Sequence, residues 1–109
     1  MTAPARPFRQ TRDAILRDPE AAALYLEEAL ADGDTDAFKL ALRNVVEAQG
    51  GMTALARKTE LSREALYRTL SEGGNPTLET LGKVLGALGL RVAVRVEGEA
   101  LNPPSQAQP

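Results

Sequence analysis

Glycine punctuation constrains this chain more than any other feature. Gly33, the Gly50-Gly51 pair, the Gly73-Gly74 pair and Gly89 interrupt its middle at short intervals, so the segments between them have room for only about three to four helical turns each. Those segments carry the apolar spacing of helices packed on one core.

Asp18 precedes Pro19, which at a first helical position gives up no hydrogen bond and has its φ already set. The helix starting there runs to about Ala31, with Ala22, Tyr25, Leu26, Ala29 and Leu30 on one face and Glu20, Glu27 and Glu28 on the wet remainder. Gly33 suits a left-handed helix end, and Asp34 or Thr35 caps a second helix bearing Phe38, Ala41, Leu42, Val45 and Val46 at i, i+3, i+4, i+7 and i+8. Two short helical segments follow at 53–59 and 63–70, joined by Glu60-Leu61-Ser62, with Ser62 as N-cap of the second. After the turn Gly73-Gly74-Asn75-Pro76, Thr77 caps a fifth helix with Leu78, Leu81, Val84, Leu85 and Leu88 inward and Gly89 as its stop.

The period then changes. Leu90, Val92, Val94 and Val96 alternate with Arg91, Ala93 and Arg95, the two-residue repeat of a half-buried strand. No second strand-like run exists in the chain, so the strand's backbone groups need a partner from another chain. That partner is either the symmetry mate, giving a two-stranded sheet across a homodimer, or a strand of another protein. Self-pairing is preferred.

The expected fold is therefore mainly all-α: one five-helix domain over residues 13–97 with a C-terminal strand whose interface residues are Leu90, Val92, Val94 and Val96. Residues 1–12, with Arg6, Arg9 and Arg12 and no acid, read as a flexible basic arm, and 98–109 as a disordered tail.

Composition narrows the chemistry. The 109 residues include no Cys and no His, which removes thiolate and imidazole nucleophiles, their metal sites, disulfides and the commonest general base. An enzyme is not expected, nor a cofactor or bound metal. The first eighteen residues mix Arg and Asp with one Ile15-Leu16 pair, and no run approaches the ~20 apolar residues of a membrane span, so a cytoplasmic protein is expected. A formal charge of −2 speaks against a surface coated for nucleic acid, but it is unevenly laid out: +3 over 1–12, −6 over 13–51, +2 over 52–71 and −1 over 72–109.

The basic stretch coincides with the two short helices, whose three-residue connection makes them a helix-turn-helix candidate. Counting from Met52, Leu55, Ala56, Leu61 and Leu66 stand where such a pair needs filling side chains and, at Ala56, a small one for close crossing. Two positions depart from the pattern: Thr59 replaces an apolar residue, and Glu60 stands where Gly often makes a left-handed turn. With 63–70 as the recognition helix, Arg63, Glu64, Tyr67 and Arg68 point outward, with Ser62 at the N-terminus and Leu66 and Leu70 inward. An Arg fork suits guanine O6 and N7, Glu accepts from cytosine N4, and Ser or the helix amides hold phosphate. Arg57 and Lys58 flank the DNA backbone from the preceding helix. Tyr67 has two readings, stacking or phosphate contact on one hand and packing on the preceding helix on the other. Without DNA, the pair is two ordinary packed helices with solvated charges.

The chain resembles the addiction-module antidote proteins, Xre-like helix-turn-helix antitoxins related to the HigA type. The resemblance rests on 23–30 (Ala-Leu-Tyr-Leu-Glu-Glu-Ala-Leu), 38–42 (Phe-Lys-Leu-Ala-Leu), 61–68 (Leu-Ser-Arg-Glu-Ala-Leu-Tyr-Arg), 74–81 (Gly-Asn-Pro-Thr-Leu-Glu-Thr-Leu) and 87–90 (Ala-Leu-Gly-Leu), in matching order and spacing. It spans about Asp13 to Val96. It implies an antitoxin that binds double-stranded operator DNA, represses its own operon as a homodimer and neutralises a cognate RelE/ParE-type toxin by direct contact. The alternative is an interaction module whose acidic helices bind a basic partner without sequence-specific DNA binding.

Other motifs are set aside. Asp32-Gly33-Asp34-Thr35-Asp36 spaces carboxylates like a calcium loop, but Ala37 stands where Gly is required and Arg43 where a bidentate Glu is needed. Gly73-Gly74-Asn75 lacks the Lys-Ser/Thr of a phosphate loop. Adjacent Glu27 and Glu28 point about 100° apart and cannot face each other as an acid–base pair.

Overall fold

The computed structural model describes residues 8–97; residues 1–7 and 98–109 lie outside the described residues. It contains six helices: α1 (Phe8–Leu16), α2 (Pro19–Ala31), α3 (Thr35–Ala48), α4 (Gly51–Thr59), α5 (Arg63–Leu70) and α6 (Leu78–Ala87).

The helix that sequence reasoning missed is α1, which occupies part of the expected basic arm. Arg9 and Arg12 are thus helical residues, whereas Arg6 and the expected tail over 98–109 fall outside the described residues. Of α1's nine residues only Leu16 is fully buried, with Arg12 and Asp13 half-buried one turn earlier and paired at 3.4 Å. Its apolar spacing, Phe8, Ile15 and Leu16 at i, i+7 and i+8, is interrupted by Arg12 at i+4, which makes the helix hard to read.

The other helices begin and end where local chemistry directs. Asp34 caps α3 by accepting the Asp36 and Ala37 amides at 3.0 and 3.3 Å, Ser62 caps α5 through Ala65 at 3.0 Å, and Thr77 caps α6 through Thr80 at 3.0 Å. Asp18 occupies the N-cap of α2, but its carboxylate makes no capping bond; α2 starts on the Ala22 amide donating to the Asp18 carbonyl at 2.9 Å. Gly50, at φ +117°, turns the chain between α3 and α4 through a region that a side chain disfavours.

α3 is the hub. It packs against α1, α2, α4 and α5, while α6 packs on α4. Leu42, Val45 and Val46 of α3 meet Leu16, Ala22, Leu26, Leu55, Leu66, Leu70, Val84, Leu85 and Leu88 in one core. Asn44 donates to the Tyr25 hydroxyl at 2.8 Å and ties α2 to α3. Leu30 and Leu78, expected inward, are exposed: the first sits at the margin of its stripe, the second in the first turn of α6.

The expected C-terminal strand is not formed. No strand is present among the described residues, and 91–97 are exposed without regular structure. Leu90 is half-buried and donates its amide to Leu85 at 2.8 Å, but among the described residues no backbone hydrogen bond involves 91–97. A strand exists only with a ladder partner, and the described residues supply none. Among the described residues the architecture is six helices and no strand.

Candidate nucleic-acid interface

Seven side chains singled out from the sequence gather on α4, α5 and their connection. Arg57 and Lys58 lie in the last turn of α4, where cations complement the negative helix end, and both are exposed. Glu60 then takes a left-handed conformation at φ +63°, so the turn keeps the geometry that Gly would supply despite the bulkier residue.

Thr59, the other departure, explains how. It is buried, but its hydroxyl donates to the Leu55 carbonyl at 2.8 Å and accepts the Leu61 amide at 3.3 Å. An apolar residue here would fill the space but leave the Leu61 amide without this acceptor. The polar position thus serves the turn.

On α5, Leu66 and Leu70 are buried, while the N-cap Ser62 and Arg63 in the first turn are exposed, as are Glu64, Tyr67 and Arg68. Tyr67 is 50% exposed, with the Arg63 guanidinium over its ring at 5.6 Å from the centroid. That cation–π contact, one turn apart on the helix, braces the arginine on the surface. Ser62 spends its acceptor on the cap, which leaves the hydroxyl proton free to donate. Among the described residues none of Arg57, Lys58, Arg63 and Arg68 forms an ion pair with an acidic group.

Behind α5, the chain returns tightly. A Cβ on Gly74 would stand 2.0 Å from the Arg68 carbonyl oxygen and 2.8 Å from Thr69 backbone atoms, so only glycine fits this approach. Lys39 and Arg43, side chains of α3 that sequence reasoning did not connect with this region, reach the same place. Lys39 donates to the Glu72 and Gly74 carbonyls, and Arg43 to the Leu70 carbonyl.

A second charged surface lies on α2 and the start of α3, where Glu20, Glu27, Glu28, Asp32, Asp34 and Asp36 are all exposed. The described residues therefore carry an acidic and a basic region, on helices that pack against α3. Among the described residues no three His, Cys, Asp or Glu side chains are gathered to hold a metal, and no helix is long and apolar enough to cross a membrane.

A chain with these six helices among its described residues finds its relatives by sequence. Residues 8–96 match the family described as "probable addiction module antidote protein", and the chain belongs to that family. It is also 39% identical over 80 residues to an uncharacterized protein of Haemophilus influenzae, an alignment covering 73% of this chain and 81% of the relative. No solved structure matches the chain.

Proposed function

We propose that the chain is the antitoxin of a type II toxin–antitoxin module and represses its own operon by binding operator DNA. In this reading α4 and α5 form a helix-turn-helix of the Xre type, and α5 enters the major groove. Arg63 takes guanine O6 and N7, Glu64 accepts from cytosine N4, and Arg68 and Tyr67 lie along the same face. Arg57 and Lys58 hold the phosphates, joined by the Ser62 hydroxyl proton and the first amides of α5.

The observation that carries this reading is the clustering of four cations without acidic partners among the described residues on the exposed side of α4 and α5, in a chain of the antidote family. The toxin, of RelE/ParE type and basic, is neutralised by direct contact, and the exposed carboxylates of α2 and α3 suit such a partner. With neither Cys nor His in the sequence, the protein acts by binding rather than catalysis, in the cytoplasm. The unpaired backbone of 91–97 and the alternating Val92, Val94 and Val96 support a homodimer closed by a two-stranded ladder.

A mobility-shift titration with the DNA upstream of the protein's own gene tests the DNA reading. That duplex is shifted at salt concentrations where an unrelated duplex of equal length is released. Absence of any shift at low salt rejects it in favour of a second reading, an interaction module whose acidic surface binds a basic partner. The exposed carboxylate cluster of α2 and α3 is the observation behind that second reading.

A further inference from the structure

Lys39 is the one charged side chain that is buried among the described residues, at 2% exposure. An ammonium has three N–H donors and no acceptor, and burying one is costly unless every donor is met. Lys39 Nζ donates to the Glu72 carbonyl at 2.9 Å and to the Gly74 carbonyl, and its charge is paired with the Asp36 carboxylate at 3.2 Å. Arg43, four residues along α3 and therefore on the same helix face, donates to the Leu70 carbonyl.

Leu70, Glu72 and Gly74 are the last residue of α5 and the turn beyond it. A helix C-terminus leaves carbonyls without intrahelical partners and carries partial negative charge. Two cations from the hub helix fill that need. At the other end of α5, Ser62 caps the amides. α5 is only eight residues long, so its direction is set largely by what grips its ends.

We infer that Lys39 and Arg43 are positioning residues for the α5 surface: they fix the angle at which Arg63, Glu64, Tyr67 and Arg68 are presented, and through it the ability of α5 to tell one DNA sequence from another. Neither reaches that surface itself. The inference rests on the DNA reading above for its consequence, but the clamp is testable without DNA. Phosphate contacts tolerate a tilted helix better than bidentate base contacts do, so loss of the clamp reduces discrimination more than general affinity.

The test compares Lys39→Met, which keeps the length and loses the donors, with Lys39→Arg, which keeps donors. Circular dichroism and thermal melting establish that each is folded; should Lys39→Met fail to fold, Arg43→Met takes its place. Amide hydrogen exchange followed by NMR is expected to speed up by about tenfold or more over residues 66–76 in Lys39→Met while α2 and α6 keep wild-type protection, with Lys39→Arg restoring most of it. The ratio of operator to random-duplex affinity is expected to fall by about tenfold with an unchanged salt slope. Equal acceleration in all helices would make Lys39 a stability residue only, and wild-type exchange over 66–76 would remove the clamp; either result overturns the inference. A wild-type protein without operator preference would instead defeat the DNA reading, and with it the specificity role, while the exchange pattern still decides whether the clamp holds α5.

Discussion

The Thr59 hydroxyl accepts the Leu61 amide at 3.3 Å while donating to the Leu55 carbonyl at 2.8 Å, so one buried side chain bridges the end of α4 and the turn that follows it. Replacing it with Val keeps the shape and removes both bonds. Thr59→Val is expected to lower stability by about 1 kcal/mol, the cost of leaving the part-buried Leu61 amide unmet, whereas Thr59→Ser loses less of the hydrogen bonding. Urea unfolding of the two variants checks this; a Val variant as stable as wild type would show that the Leu61 amide does not depend on Thr59.

The neighbouring residue predicts an effect of opposite sign. Glu60 is the one non-glycine residue with positive φ among the described residues, at +63°. Left-handed backbone costs an L-residue roughly 1–2 kcal/mol, part of which glycine gives back as unfolded-chain entropy. Glu60→Gly should therefore raise stability by about 0.5–1 kcal/mol, measured by the same unfolding experiment. A loss of stability would mean that the Glu60 side chain contributes more than its backbone costs.

Gly74 has no such latitude. Its missing Cβ would sit 2.0 Å from the Arg68 carbonyl oxygen, a backbone atom that cannot swing away. Gly74→Ala must displace the turn after α5, pulling the Gly74 carbonyl from Lys39, and is expected to cost more than about 2 kcal/mol, within the range for substitutions that force backbone shifts. Thermal unfolding measures the loss, and an unchanged melting temperature would contradict the close approach.

How much of this was legible in the sequence follows from where each determinant lies. Gly33, Gly50 and Gly89 all have positive φ at helix ends, and Ser62 and Thr77 cap helices: these are local effects, written in adjacent residues. The outward register of Glu64, Tyr67 and Arg68 was legible for the same reason, from the buried spacing of Leu66 and Leu70, whereas Arg63 shares that spacing and is exposed as the first residue of α5. α1 was not, because it buries one residue fully and Arg12 interrupts its short apolar spacing of Phe8, Ile15 and Leu16. The grip of Lys39 on Glu72 and Gly74 was hidden more deeply, since its partners are backbone carbonyls 33 and 35 residues away and side-chain pattern does not encode them. The segment 90–96 shows the converse: its alternation is clear, but the described residues hold no partner strand to make it a ladder.

That segment gives a prediction that is clean because Val94 is 94% exposed in the single chain. Val94→Asp leaves the helical core untouched, so thermal stability at low concentration is expected to stay within about 0.5 kcal/mol of wild type, while a charge in the apolar row of the proposed ladder opposes pairing. Sedimentation equilibrium should then report a dimer for the wild type and a monomer for the variant. An unchanged dimer would place the interface elsewhere.

The central claim, that α5 reads DNA sequence, is tested most directly by fluorescence-anisotropy titration of the operator and a scrambled duplex with the wild type, Arg63→Ala and Arg57→Ala over a range of salt. Arg63→Ala is expected to lose about 1–3 kcal/mol on the operator and little on the scrambled duplex, because it removes a base contact. Arg57→Ala should weaken both duplexes alike and reduce the salt slope by about 1, because it removes a phosphate contact. Equal losses on both duplexes for both variants would contradict the assignment of α5 as the reading helix.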